Sequence, residues 1–504
     1  MGVSGTTEAI KGRGGGGARQ RAVTPALMLI GIIAAIMGSL GAPLIPTIAA
    51  DSHVSLSTAN WLLTVTLLTG ALCTPILGKL ADGPHQKRVV VAALAVVLLG
   101  SVCAAVTDVF AVLLIGRALQ GVGLGLLPVT MAIARRHLPA QRVGQVIAWL
   151  SVTVAVGVGL GYPVTGLLAQ LSDYHVAFWF GALVAASALV VAILVLPSAS
   201  AGSQDPLDVV GASLLAFVTT AVIIALSEAV RWGWTSAATL GLLVGGVAVG
   251  AVWVWWETRH PHPFVDLRLT RNRLVTTANV AGFLISIAMY LFLPIVVEFV
   301  QVPSDVGFGF SASVLVAGCA LIPLSLGTLV STRLAVGFQQ RFGRRPVIPA
   351  GALLFAATMV FFAVEHDALW EAFAATALAG IGIGFTFAAM PSYIVSAVAT
   401  HETGSAMGFY QVLRSVGLAV GSAVSTAVLA ANTPEGSLLP SVDGFRTTLL
   451  LGAGLCAVTA VAAIVLPGRS TLAPVSDVLA AENAEIEGSG LPMSDRRLDG
   501  PPIQ

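Results

Sequence analysis

The chain has 504 residues, of which 56% are hydrophobic and only 10% charged, with a formal net charge of +1. Soluble globular proteins carry nearer a quarter charged residues, so a water-soluble enzyme or binding domain is excluded and no nucleic-acid partner is expected. In lipid, the placement of charge carries information and its sum does not.

Residues 1–24 hold Lys11, Arg13, Arg19 and Arg21 around the run GRGGGG and read as a disordered basic tail, not a cleavable leader. Apolar windows of about twenty residues, the length a bilayer core requires, then follow. They lie near 25–50, 56–77, 89–107, 109–133, 143–170, 175–196, 207–228, 237–257, 274–300, 311–335, 346–364, 370–396, 403–431 and 445–466. Almost all Lys and Arg fall on one side of this alternating set; Arg231 and Arg446 lie opposite, and Arg117 and Arg414 lie inside windows. Both termini are therefore expected in the cytoplasm. The stretch 468–504, rich in Ser, Pro, Gly and acids, is expected to be disordered. Cys73, Cys103, Cys319 and Cys456 lie within apolar windows without metal-type spacing, and read as packing residues.

Between the second and third windows stands GKLADGPHQKR, residues 78–88. So polar a stretch between two spans has to lie at a membrane surface, with Gly83 and Pro84 expected to make its tight turn. A looser copy, GFQQRFGRRP at 337–346, separates the tenth and eleventh windows, so the chain reads as two related halves. The two copies are further apart than six spans with short loops require. That excess marks 207–228 and 237–257 as an inserted helical pair.

In the fourth window, LLIGRALQGVGLG sets Arg117, Gln120, Gly121 and Leu124 at i, i+3, i+4 and i+7, on one helical face. A guanidinium at that depth costs about 2.5–3.5 kcal/mol even on insertion scales, so it should face protein or a wet cavity unless it snorkels outward. The fifth window carries GVGLGYPVTG: Gly157 and Gly161 line one side, and Gly159, Tyr162, Pro163 and Gly166 the other. Two small-residue faces and a proline suit a helix that packs closely on two neighbours and bends. In the thirteenth window, Tyr410, Arg414, Gly417 and Gly421 share a face with Gln411 adjacent, and Arg414 is about 15 Å deep at 1.5 Å per residue. A structural bond to a helix-end carbonyl is the alternative reading of Arg414. No carboxylate lies near the middle of a window. Glu298, at the outer end of the ninth, comes closest to a titrating group and reads alternatively as a solvated rim residue. Asp82 reads either as a gating acid that meets a cation or a helix N-terminus in one conformation, or as a turn former. The histidines lack HExxH spacing and no phosphate-binding loop is present, so no enzyme activity, metal or cofactor is expected.

These motifs carry a family likeness. Gly78, Leu80, Asp82 and Lys87 resemble the loop motif of the major facilitator superfamily, with His85 and Gln86 where that family has glycine and arginine. Leu113, Arg117, Gln120, Gly121 and Gly123 resemble its second motif. Residues 157–166 are similar to its antiporter motif, with Tyr162 in place of a glycine. DPLDVVG at 205–211 and HPHPFVDLRL at 260–269 resemble segments of fourteen-span drug:proton antiporters. The resemblance implies an all-α membrane protein of major facilitator fold with 14 transmembrane helices. It would comprise an N-terminal six-helix bundle at 25–200, two extra central helices within 201–260 and a C-terminal six-helix bundle at 261–467.

It further implies a monomeric plasma-membrane exporter of a small, largely apolar compound, working by alternating access as a proton antiporter without a cofactor. Proton coupling and gating would fall to Arg117, Asp82 and Glu298. The substrate cavity would be lined by Arg117, Gln120, Tyr162, Tyr410, Gln411 and Arg414. Helix packing and conformational change would use Gly78, Gly121, Gly157, Gly161, Pro163, Gly166, Gly417 and Gly421. The stretch IMGSLGAPLIP sets Met37 where such antiporters carry a protonatable aspartate, so proton coupling rests on the resemblance alone. Two buried arginines and no buried acid favour a neutral or anionic cargo over a lipophilic cation. Uptake of an organic solute is one alternative; a non-transporting membrane sensor or polytopic membrane enzyme is another.

Overall fold

A computed structural model describes residues 13–40, 44–54, 56–59, 61–171, 173–197, 208–304, 308–399, 402–434 and 440–466. Its long helices are α1 (Arg13–Ser39), α2 (Trp61–Asp82), α3 (Gln86–Ala105), α4 (Phe110–His137), α5 (Ala140–Leu171) and α6 (Tyr174–Val195). There follow α7 (Val209–Trp232), α8 (Ala237–Arg259), α9 (Arg273–Gln301) and α10 (Val314–Cys319 continuing as Ile322–Phe342). The last four are α11 (Val347–Val364), α12 (Leu369–Val395), α13 (Thr403–Ala431) and α14 (Val442–Val465). Among the described residues, twelve helices are long and apolar enough to cross a membrane; α1 and α5 are not among those twelve.

Several boundaries differ from the sequence reading. The first window divides into α1 and a short helix at Ile45–Asp51. The helix α1 starts at Arg13, so the disordered tail expected through residue 24 gives its second half to a helix; Ala18-Arg19-Gln20-Arg21-Ala22 is a run of helix formers. The second basic turn is led by Gly343 and not by Gly337, because α10 runs on to Phe342 and the chain reverses where Gly343 takes φ +82°. Gly78 likewise lies inside α2, leaving only residues 83–85 for the turn. A single 3-10 turn, Val122–Gly125, interrupts α4 at its glycine-rich stretch.

Two bundles result. In the first, α1 packs on α5 and α6, α2 on α4, and α3 on α4 and α6. In the second, α9 packs on α12, α13 and α14, α10 on α12, and α11 on α12 and α14. Glycine contacts repeat between them. A Cβ on Gly100 of α3 would meet the carbonyl of Gly116 in α4 at 2.6 Å, and one on Gly351 of α11 would meet that of Gly382 in α12 at 2.7 Å. The Thr66 hydroxyl donates to the carbonyls of Leu62 (2.8 Å) and Arg117 (3.1 Å). Thr328 repeats the arrangement with Leu324 (2.7 Å) and Gly380 (3.1 Å). Without lipid-excluded water to drive association, helices in a bilayer rely on this close backbone approach and on buried hydroxyl bonds.

The helix α7 leans on α2 and α13, at one seam between the bundles, and α8 packs mainly on α7. Only 17% of the apolar window of α8 is buried inside the protein, so its remaining surface, with Val244, Val247 and Trp255 exposed, is left for lipid. Across the other seam, α5 packs on α10 and α12.

Candidate functional site

The two bundles touch where α2 ends. A Cβ on Gly78 would collide with the backbone carbonyl of Gly404, and one on Gly404 with that of Gly78, so the two helices touch backbone to backbone. Beside this contact, the carboxylate of Asp82 accepts from the Gly404 N–H (2.7 Å), the Ser405 N–H (2.8 Å) and the Ser405 hydroxyl (2.7 Å). Those amides open α13 and have no intrahelical acceptor; an anion from the other bundle supplies one and complements the helix dipole.

Cations brace the same junction. From the end of α4, Arg135 donates to the Thr403 hydroxyl (2.7 Å) and to the carbonyl of Val398 (2.7 Å), just beyond α12. Its neighbour Arg136 donates to the carbonyls of Asp82 (2.9 Å) and Gly83 (3.2 Å), holding the turn that carries the acid. Lys87 donates to the carbonyl of Ile193 (2.6 Å) in the last turn of α6. In the second basic turn, the Tyr393 hydroxyl donates to the carbonyl of Arg344 (3.0 Å), and burial against α12 pushes the Arg344 guanidinium below its ordinary value.

The residues expected to share a cavity fall into two groups. Arg117 is fully buried within the first bundle; it donates to Gln120 Oε1 at 2.7 Å and to the carbonyls of Met37 and Leu62 at 3.4 Å. Gln120 passes the chain on to the Ser101 hydroxyl at 3.0 Å. The expectation that Arg117 and Gln120 line the cavity is therefore corrected for this conformation: their polar groups turn toward α1, α2 and α3. Met37, standing where fourteen-span antiporters carry an aspartate, meets Arg117 through its carbonyl.

The second group lies between the bundles. Tyr410, Gln411 and Arg414 of α13 line a small cavity of about 10 Å³ against Leu127, Met131 and Ser151 of the first bundle, room for roughly one water. Arg414 donates to Gln411 Oε1 at 3.1 Å and lies over the Phe387 ring at 4.1 Å, while its Nε has no hydrogen-bond partner. Tyr410 packs on Gly282 of α9 and directs its hydroxyl to Met390 Sδ at 3.4 Å. Glu298 belongs to neither group. It is exposed beside Ser422, Thr426 and Thr433, in a separate cavity of about 270 Å³ at the opposite end of α13.

Gly121 abuts the carbonyl of Thr66 in α2, Gly157 abuts Ala35 of α1, and Gly417 and Gly421 abut Phe283 and Ile287 of α9. Gly161 is buried in α5. The side chains of Tyr162 and Pro163, and the surroundings of Gly166, lie outside the described residues.

Sequence reasoning missed a buried acid pair. Asp208, which caps α7 through the Gly211 N–H, also accepts from Trp256 Nε1 (2.8 Å). Glu257 accepts from Trp253 Nε1 (2.9 Å) and from the Val265 N–H (3.2 Å). Trp256 thus ties α8 to the start of α7, and Glu257 ties the inserted pair to the segment that re-enters the second bundle. The signal lay in WVWWETR, where Trp253 and Glu257 are one turn apart and face the same way.

Two helical bundles with an internal repeat, meeting along seams closed by hydrogen bonds, are an architecture that many secondary transporters share. A sequence model described as Major Facilitator Superfamily matches residues 27–335 and 278–486, and the chain belongs to that superfamily. Uncharacterized MFS-type transporter Rv1877 of Mycobacterium tuberculosis (strain ATCC 25618 / H37Rv) is 27% identical over 416 residues, 81% of this chain but only 59% of that relative's length. Multidrug resistance protein B homolog of the same strain is 27% identical over 417 residues, covering 81% of this chain and 76% of its own. Multidrug resistance protein Stp is 25% identical over 391 residues, 77% and 72% of the two chains. The crystal structure of the human organic anion transporter MFSD10 (TETRAN) shares the fold, with a TM-score of 0.63, 16% identity and coverage of 88% of this chain and 99% of that one. The chain is therefore a multi-pass helical membrane protein of this superfamily, and it spans about three fifths of the length of the first of these relatives.

Proposed function

We propose that this transporter exports a small, largely apolar, neutral or anionic compound across the plasma membrane in exchange for protons, by rocking α1–α6 against α9–α14. The observation that carries the reading is the junction of Asp82 with the start of α13. It joins the two bundles through one acid, and it is made of bonds that can break and re-form without unfolding either bundle. The side bearing the basic turns would be cytoplasmic, with both termini there, so the described state is closed to the cytoplasm. Fourteen spans are proposed, because α1 and α5 pack within the first bundle as full-length members and add two to the twelve candidates.

Arg414 would meet the cargo when the cavity widens, since its unpartnered Nε favours an acceptor over a cation. Asp82 is the proposed gate and a candidate proton carrier, exposed when the junction opens; Arg117 would couple to it through α2 and α4. The test is substrate-stimulated proton flux in proteoliposomes, using neutral chloramphenicol, anionic carboxyfluorescein and cationic ethidium. Flux with a neutral or anionic compound, lost in Arg414→Ala, is expected. Flux with ethidium alone would overturn the cargo assignment, and counterflow under an imposed pH gradient would expose uptake as the true direction.

A further inference from the structure

Next to the Asp82 junction lies a third and larger cavity, of about 540 Å³, within the size range of drug-sized ligand sites. Three parts of the chain wall it. The end of α2 and its turn contribute Lys79, Leu80 and His85; the segment between α8 and α9 contributes Pro263, Asp266 and Leu269. The facing wall is Val275 and Asn279 of α9, with Glu402, Ser405 and Phe409 at the start of α13.

The chemistry of this lining is lopsided. Asp82, Asp266 and Glu402 place three carboxylates around it with one lysine and two histidines, His85 and His262, and Lys79 donates to the carbonyl of Pro263 (3.2 Å). Asp82 is satisfied by Gly404 and Ser405. Asn279, only 6% exposed, is not: its Oδ1 is buried without a hydrogen-bond partner. A buried acceptor left unpaired is costly, and in a wall this rich in anions the complementary group is a cationic donor. Leu80, Val275, Leu269 and Phe409 supply the apolar surface for a hydrophobic body.

We propose that this cavity binds a drug-sized amphipathic ammonium compound, and that the bound ammonium inhibits transport by holding the junction shut. The walls come from both bundles, so the cavity has this shape only while α2 is docked on α13. A ligand that fits one state alone shifts the population to that state. Such a compound would act as an inhibitor and not as cargo, since the interbundle cavity carries Arg414 and would repel it. The inhibitory half rests on the alternating-access reading above; binding is measured without transport, so the two fail separately.

The probe is nortriptyline, a tricyclic secondary ammonium, with N-acetylnortriptyline as the neutral control of the same body. Equilibrium dialysis against the purified full chain in nanodiscs should find the ammonium form tighter by roughly tenfold or more, as expected for a charge-assisted donor. Asp266→Asn with Glu402→Gln should weaken it by a similar factor, Asn279→Leu should weaken it measurably, and Arg414→Ala should leave it unchanged. Thermal unfolding of each variant, alone and with probe, checks that the fold is retained; because Asp266 and Glu402 are half-exposed, that pair keeps the test available if Asn279→Leu fails to fold. Equal affinity for the N-acetyl form, indifference to the carboxylate pair, or loss of binding in Arg414→Ala overturns the site. Nortriptyline that binds as expected but is itself carried across the vesicle membrane overturns the inhibitory half.

Discussion

Replacing Asp82 by asparagine keeps the size of the side chain and removes the charge that holds α2 to α13. The carboxylate accepts three short bonds, two from the opening amides of α13 and one from the Ser405 hydroxyl. An amide at that position retains one acceptor oxygen and turns an NH₂ toward groups that themselves donate, so the Ser405 N–H loses its partner. A hydrogen bond to a charged group contributes about 1.5–3 kcal/mol. At about 1.4 kcal/mol per factor of ten, the docked state should lose roughly 10- to 150-fold in population relative to the open one. The assay is pulsed electron-electron spectroscopy between spin labels at His85 and Arg345, both exposed and on opposite bundles, in a background lacking Cys73, Cys103, Cys319 and Cys456. The parent should give one short, narrow distance, and Asp82→Asn should add a longer population that dominates. Superimposable distributions from the two proteins, with both folded, would refute the role given to this acid.

Three further outcomes follow from the same geometry. Arg117→Ala removes the 2.7 Å bond to Gln120 and leaves Gln120 Oε1 without its donor in the first bundle; it should lower thermal stability by about 2–4 kcal/mol, measured by intrinsic fluorescence, and Arg117→Lys should recover only part of the loss. Gly100→Val presses a side chain on the Gly116 backbone and should cost about 1–3 kcal/mol by the same measurement, whereas Gly144→Ala, which meets nothing within 4 Å, should be neutral or slightly stabilising. Trp253→Phe removes one donor from Glu257 and should speed proteolysis within 260–270, the segment that acid holds, without lowering the unfolding temperature of the bundles.

What could be read from the sequence is mostly what is local. The i, i+3 spacing of Arg117 and Gln120 appears as a hydrogen bond, the glycine faces of α13 lie against α9, and Gly83-Pro84 makes the turn after α2. Where partners are distant in sequence, the reading stopped at a type of contact. Asp82 could be matched to a helix N-terminus in principle, but the choice of Gly404 and Ser405 depends on bundle packing. Arg117 looked like a cavity residue because its depth demands polar company; the company turned out to be carbonyls of α1 and α2, which no side-chain pattern marks. Arg135 and Arg136 were read only as cations on the basic side, because positive charge at a span end serves topology equally well. Gly337 drew attention for its resemblance to Gly78, while the turn needed the positive φ that Gly343 supplies.

The central claim is that opening at the Asp82 junction and closing at the opposite end of the bundles are one motion. Hydrogen-deuterium exchange on the full chain in nanodiscs, comparing the parent with Asp82→Asn, reads both ends at once. Exchange should rise at 402–409 beside the junction and fall at 422–431, where α13 lines the cavity of Glu298 at its opposite end. Exchange that rises at both ends, or changes at the junction alone, would contradict alternating access in this protein.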